Sequence, residues 1–284
     1  MKTIVLYHKD CSDGTTAAAI VAKKYPDALL FAVSHGATPE ELAEIAAQAS
    51  TGDRILTVDC VIGVRAFLAA GHKVTSIDHH ISVNDEFKAL AKENAAFTYV
   101  FDNSKCGSSL TWSYLFPDEH LPELVKYVED FDLWNWKHGD NTKYIASYLY
   151  PLSNKPEEVR KLLDGPLDVA LENGRIISAY SDFMLAHAIK GTEPIDLLIG
   201  GYTVPFYNIT SYKSEGGNIL STERDRAVAL FTIDAHRVKI SLRSLDSHTP
   251  SALDIATLLG GGGHRNSSGA AMTLETFFKA IKKP

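Results

Sequence analysis

Short apolar runs alternate with amphipathic stretches of helical period along the first hundred residues. Residues 3–7, 28–33, 54–59 and 73–77 are the apolar runs. Each is of strand length and nearly continuous in apolar character, as strands covered on both faces are. Between them, residues 15–25 carry the alanine-rich pattern of a helix packed close to a sheet. Thr38-Pro39-Glu40-Glu41 combines a capping box with a first-turn proline, and residues 64–70 run helically to a stop at Gly71. A fifth strand is expected over residues 97–101 and a helix over 110–115. Leu121, Leu124, Val125 and Val128 share one face of a further helix that runs toward Trp134 and Trp136. The alternation predicts an α/β fold with a doubly wound, mainly parallel sheet.

The rhythm changes after about residue 155. Residues 156–190 are mixed and helical, broken at Gly165-Pro166, and read as a connector. Strands are expected over residues 202–209 and 227–232. Residues 237–244 alternate, with Val238, Ile240 and Leu242 on one face and Lys239, Ser241 and Arg243 on the other. A short helix over 250–259 runs into Gly260-Gly-Gly-Gly263-His264-Arg265-Asn266-Ser267-Ser268-Gly269. The expected organisation is a first domain over 1–155, a helical connector over 156–195 and a smaller α/β domain over 196–284.

With 284 residues and a net charge of −7, the chain has room for two modest domains and lacks the basic surface that long nucleic acid requires. A short anionic ligand remains compatible. The opening apolar run is too brief for a signal peptide, and no stretch reaches transmembrane length. Cys11, Cys60 and Cys106 are odd in number and form no CxxC pair, which fits a reducing cytoplasm. Cys11 and Cys60 neighbour candidate ligands, but small buried side chains are the plainer reading.

The chemistry gathers at strand ends. Residues 74–77 lead straight into Asp78-His79-His80. An acid and two imidazoles at the tip of an interior strand are costly unless something charged faces them, and a divalent cation is the economical partner. The strand before His8-Lys9-Asp10-Cys11-Ser12-Asp13-Gly14 and the strand before Asp59 end in the same way. That edge of an open α/β sheet is where ligands bind, near the strand-order switch. Asp130 and Asp132 close the helix that starts near Leu121, and periodicity places Asp132 nearer its apolar face. Ser108 and Ser109 suit either a helix cap or a phosphate contact. In the glycine-rich segment, exposed backbone N–H groups with His264 and Arg265 favour an anion.

Taken together, these motifs resemble the DHH phosphoesterase superfamily, across nearly the whole chain. Asp78-His79-His80 and the glycine-rich segment ending in His264 are the most specific parts. The latter is similar to the DHH-associated C-terminal domain of the branch that degrades very short RNAs and small nucleotide phosphates. The resemblance implies an N-terminal domain with two divalent metal ions, usually Mn²⁺, and a C-terminal domain that grips substrate across a cleft. His8, Asp10, Asp13, Asp59 and His79 would be metal ligands, with Asp59 bridging. The family's fourth acidic motif matches Asp130 better than Asp132. Asp78 would orient ligands, while His80, Arg243 and His264 would contact phosphate, with Ser244, Gly262, Gly263 and Arg265 beside them. Many members space the first motif as His-x-Asp-x-Asp-Gly; here one more residue separates Asp10 from Asp13. A mixed carboxylate and imidazole set suits Mn²⁺.

The expected activity is metal-dependent hydrolysis of short oligonucleotides or small nucleotide phosphates. Two metals would polarise the phosphoryl group and activate water, with Asp59, Asp78, His79 and His80 at the reacting centre. No long nucleic acid and no membrane partner is expected, and a homodimer is a candidate assembly. A pyrophosphatase or polyphosphatase, or a non-catalytic nucleotide sensor of the same fold, is the alternative.

Overall fold

The computed structural model describes residues 1–281. The chain divides into two compact units, Met1–Ser178 and Ala179–Pro284. In the first, β1 (Thr3–His8), α1 (Ser12–Lys24), β2 (Leu29–Val33), α2 (Pro39–Ala46), β3 (Arg54–Val58), α3 (Val64–Ala69), β4 (Val74–Asp78), α4 (Ile81–Glu93) and β5 (Phe97–Phe101) alternate as expected. The helices α5 (Gly107–Leu115), α6 (Glu123–Asp132), α7 (Asp140–Leu149), α8 (Pro156–Arg160) and α9 (Asp168–Lys190) follow. The five strands form a parallel sheet in the order β2-β1-β3-β4-β5.

The continuous apolar character of β1 has a direct cause. Ile4 and Leu6 enter a core with Val64, Phe67 and Phe87, while Val5 and Tyr7 enter another with Ala17, Ile20 and Leu124. Both faces are covered, so neither parity of the strand can be polar. Alanines at 17, 18 and 19 are fully buried in α1, and their small side chains let that helix lie close to the sheet. Thr38 caps α2 as foreseen, accepting from the Glu41 N–H while Glu41 accepts from the Thr38 N–H.

The second unit holds β6 (Ile195–Ile199), β7 (Tyr202–Tyr207), α10 (Lys213–Arg224), β8 (Val228–Asp234), β9 (Arg237–Arg243), α11 (Ala252–Leu258), β10 (Gly262–His264), β11 (Ser267–Thr273) and α12 (Leu274–Ala280). Its six-stranded sheet runs β10-β11-β9-β8-β7-β6, antiparallel except for β7 with β8. Val238, Ile240 and Leu242 of β9 are buried as the alternation requires.

Three features depart from expectation. The stretch 156–195 does not stand apart as a connector: Val159, Leu163, Leu167 and Ala170 belong to the first core, and Leu185 packs with Tyr207 and Leu230 in the second unit. The glycine-rich segment, where the pattern predicts no strand, forms a β-hairpin. A Cβ at Gly261 would fall 2.1 Å from the Gly269 carbonyl oxygen, so the glycine is what lets the strands close. The helix α10 escapes pattern reading because it buries glycine where a helix ordinarily buries leucine. A Cβ at Gly217 would stand 2.5 Å from Cγ of Arg243.

Phe67 is fully buried between α3 and the sheet. Phe67→Ala is expected to cost about 3–5 kcal/mol, read as a lower urea midpoint. Phe278→Ala, at a ring 63% exposed, should change stability by no more than about 0.5 kcal/mol.

Candidate metal centre

The strand order places the change of winding direction between β1 and β3, since the chain leaves β1 for β2 on one side and later returns to pair β3 on the other. The candidate ligands stand at that edge. His8 ends β1, Asp59 follows β3, Asp78 ends β4 with His79 and His80 after it, and Asp13 lies in the first turn of α1.

At the centre is Nε2 of His79. It lies 3.2 Å from Asp59 Oδ1, 3.6 Å from Asp132 Oδ2 and 3.8 Å from Asp13 Oδ2. Burial disfavours the charged imidazole, but the hydrogen bond to Asp59 and the charges of Asp132, Asp59 and Asp13 outweigh it and raise its pKa to about 10. Burial likewise pushes the Asp13 carboxyl up to about 7, with repulsion from Asp59 and Asp132 adding to it. Burial also raises Asp132. Asp59 goes the other way. Burial opposes its charge, yet the hydrogen bond with His79 and the nearby His8 and His80 imidazoles hold it well below the usual carboxylate range.

Backbone geometry makes room for this crowding. Asp59 adopts a left-handed φ of 55°. The Gly107 and Ser108 N–H groups at the start of α5 donate to the Asp13 carboxylate at 2.5 and 2.8 Å. A Cβ at Gly107 would sit 2.6 Å from Cβ of Asp59, and one at Gly14 would sit 2.5 Å from the His8 carbonyl oxygen. Ser108 thus lies in the first turn of a helix whose first two N–H groups serve a buried aspartate, while the Ser109 N–H is capped by Cys106 Sγ.

Among the described residues of the first unit, two triads bring ligand atoms within 4.8 Å of one another: Asp13, Asp59 and His79, and His8, Asp59 and His80. Asp59 belongs to both. Its Oδ2, 3.5 Å from His8 Nδ1, accepts no hydrogen bond, and neither does Asp132 Oδ2. Mixed oxygen and nitrogen donors, shared charge and unsatisfied buried carboxylate oxygens fit a divalent cation well.

Two expected ligands stand elsewhere. The Asp130 carboxylate accepts N–H bonds from Lys137 and His138 at 2.8 and 3.0 Å and the Thr142 hydroxyl at 2.5 Å. Asp132, two residues on, turns toward His79. The family motif's choice of Asp130 is thus corrected by the helix geometry. Asp10 is exposed with φ 57°, and it exchanges hydrogen bonds with the side chain of Asn154. The additional residue before Asp13 leaves Asp10 in a turn ahead of α1, outside both triads. Asp78, expected to orient ligands, binds Nδ1 of His80 at 2.7 Å. That contact draws His80, expected as a phosphate contact, into a triad. His35, not anticipated, packs its ring 5.0 Å from that of His8. Its single polar position in the loop after β2 carries no pattern by which sequence reading could have found it.

In the second unit, Arg243 donates to the Leu242 carbonyl and to Ser214 Oγ. Burial lowers its pKa to about 10. Ser244 Oγ accepts from the Ala252 N–H and lies 3.1 Å from Asn266 Oδ1. Gly262, Gly263 and His264 form β10, and Arg265 donates to the Asp246 and His248 carbonyls.

Similarity to known proteins agrees with the resemblance to the DHH superfamily that Asp78-His79-His80 carries. No family model matches the sequence. Oligoribonuclease NrnB of Bacillus subtilis is 25% identical over 240 residues, covering 74% of this chain and 56% of that protein. An uncharacterised protein of Acanthamoeba polyphaga mimivirus is 26% identical over 204 residues, covering 69% of this chain and 47% of its own length. The chain thus spans about half the length of the curated relatives it matches. In fold it is similar to RecJ of Thermus thermophilus solved with Mn²⁺, at 17% identity and TM-score 0.58, covering 98% of this chain and 50% of that one. It is also similar to the pGpG-specific phosphodiesterase PggH of Vibrio cholerae, at 11% identity and TM-score 0.53, covering 98% and 96%.

Asp132→Asn is expected to weaken Mn²⁺ binding by titration calorimetry. Asp130→Asn should leave that affinity within a few-fold and instead cost about 1.5–3 kcal/mol of stability, the worth of hydrogen bonds to a charged acceptor. Metal-free protein should also lose stability as pH rises. The folded state holds a proton on Asp13 up to about 7 against an ordinary 3.8, and on His79 up to about 10 against 6.5. Both groups bind more protons folded than unfolded, so stability falls across pH 3.8–7 and again across pH 6.5–10. Urea midpoints measured over that range, with chelator present, check the sign.

Proposed function

We propose that this chain is a metal-dependent phosphodiesterase or phosphatase of the cytoplasm that hydrolyses short oligonucleotides or small nucleotide phosphates with two divalent ions, most simply Mn²⁺. The observation that carries the reading is the pair of triads joined through Asp59. Two cations so placed would supply positive charge to a phosphoryl group and acidify a water for attack on it. The chain's own residues do the rest. Asp59 holds the two triads in register, and His79 and Asp13 complete one while His8 and His80 complete the other. Asp78 fixes the His80 ring, which places the proton of the neutral imidazole at Nδ1. Asp132 closes the open side of His79.

The named activities of NrnB and PggH support the substrate class. A substrate-contacting role for Arg243, Ser244, Gly262, Gly263, His264 and Arg265 rests on the family resemblance. Three free cysteines support a reducing compartment, and among the described residues no helix is long and apolar enough to cross a membrane.

Metal-stripped protein should take up about two Mn²⁺ per chain and lose activity to a chelator. Turnover is to be screened on dinucleotides, 3′-phosphoadenosine 5′-phosphate, pyrophosphate and a ladder of RNA lengths. Rates should fall steeply beyond roughly five nucleotides, because a polyanion finds no basic track on an acidic chain. Asp59→Asn should lower Mn²⁺ affinity and turnover together, the latter at least about a hundredfold. Preference for pyrophosphate would select the phosphoanhydride alternative, and Mn²⁺ binding with no turnover of any substrate would select the sensor. Absence of Mn²⁺ binding at millimolar concentration would overturn the two-metal reading.

A further inference from the structure

Immediately after Asp132 the chain does something costly that the metal centre does not require. Trp134 and Trp136 both adopt left-handed backbone, at φ 57° and 56°, a conformation bulky residues avoid unless the surroundings impose it. Asp130 imposes it. Its carboxylate gathers the Lys137 and His138 N–H groups and the Thr142 hydroxyl, and its carbonyl accepts the Asn135 N–H. The loop is thereby pinned at both ends of the two indoles.

What the strain achieves is a cluster of rings outside the hydrophobic cores. Trp134 and Trp136 meet at 4.8 Å between centroids, edge to face, and Phe131 backs them at 5.5 and 5.9 Å. None of the three belongs to a core cluster, and both indoles are part-exposed. Trp112, by contrast, is 3% exposed inside the first core. Trp134 lies two residues from Asp132, so their Cα atoms are at most about 7 Å apart. Two part-exposed indoles, set at 81° to one another, thus follow Asp132 of the metal centre directly in the chain. Asn135, exposed between the indoles, offers an amide at their margin.

We propose that Trp134 and Trp136 form a stacking platform for a nucleobase of the substrate, so that the site selects nucleotides over inorganic phosphoanhydrides. The proposal deepens the phosphodiesterase reading and rests on it for the position of the phosphate. Every base presents a π face, so such a platform grips without reading sequence. Pyrophosphate and polyphosphate offer nothing for it to hold.

The test follows the tryptophans directly. Fluorescence of Mn²⁺-loaded and metal-free protein is titrated with adenosine 5′-monophosphate and, separately, with ribose 5-phosphate. The nucleotide should quench emission and bind more tightly than the sugar phosphate, with buried Trp112 supplying the residual signal. Trp134→Ala and Trp136→Ala should each raise KM for a dinucleotide roughly tenfold to a hundredfold while kcat changes little and Mn²⁺ affinity holds. Trp134→Phe and Trp136→Phe keep a stacking ring. They should retain most of the affinity while each removes part of the quench, which keeps the test decisive if an alanine variant misfolds. Equal binding of the two probes, or a quench unaltered in both phenylalanine variants, overturns the platform. Base-dependent quenching without hydrolysis of any substrate supports the platform and removes the phosphodiesterase reading. Hydrolysis without base-dependent quenching does the reverse.

Discussion

The first unit is organised around a buried electrostatic conflict. Three carboxylates, from Asp13, Asp59 and Asp132, converge on one imidazole nitrogen of His79 within 3.2 to 3.8 Å. A single proton on His79 offsets only part of that charge, and the remainder shows in the raised Asp13 and Asp132. Burying like charges this closely is expensive in a low-dielectric interior unless a multivalent cation joins them. The geometry is therefore a compromise between folding, which would neutralise or separate these groups, and ligand binding, which needs them together and ionised.

The fold tolerates the conflict because rigid elements impose it. Asp59 and His79 are placed by neighbouring strands of a sheet covered on both faces, with the Asp59 N–H bonded to the Ile77 carbonyl. The register of β3 against β4 thus sets the backbone positions from which both side chains start. The left-handed conformation of Asp59 costs roughly 1–2 kcal/mol, and the glycines at 14 and 107 remove the Cβ atoms that would otherwise keep α1 and α5 at a distance. The dipole of α5 and its first two N–H groups then offer Asp13 partial relief. Sheet, glycines and helix terminus act on one carboxylate cluster.

Much of this was legible in the sequence, for physical reasons that also explain what was not. Buried parallel strands must be apolar at both parities, so β1, β3 and β4 announce themselves, and polar residues at their tips stand out against that background. Thr38 and Glu41 declare a helix start because orphan N–H groups need acceptors. The second unit was harder. Its helix α10 packs through Gly216 and Gly217, and its hairpin β10–β11 closes through Gly261 and Gly263, so close approach replaces hydrophobic pattern as the driving feature. Segment 156–170 looked like a linker because its apolar residues are spaced across a helix break, and only tertiary packing joins Val159 and Leu167 to one core.

Asp130 and Asp132 show why a motif match can name the right segment and the wrong atom. Residues two apart on an α-helix point about 200° from one another, so one face cannot present both carboxylates. Asp132 faces His79, which frees Asp130 to act on the chain beyond the helix end. There it satisfies three donors and holds a turn that no local propensity favours, since Trp134 and Trp136 both carry positive φ. The two acids have separate roles. Asp130 fastens the loop that follows α6, and Asp132 completes the charge cluster that α6 reaches. A change at Asp130 therefore acts on the centre only through the loop and helix end it secures, whereas a change at Asp132 acts on the charge itself.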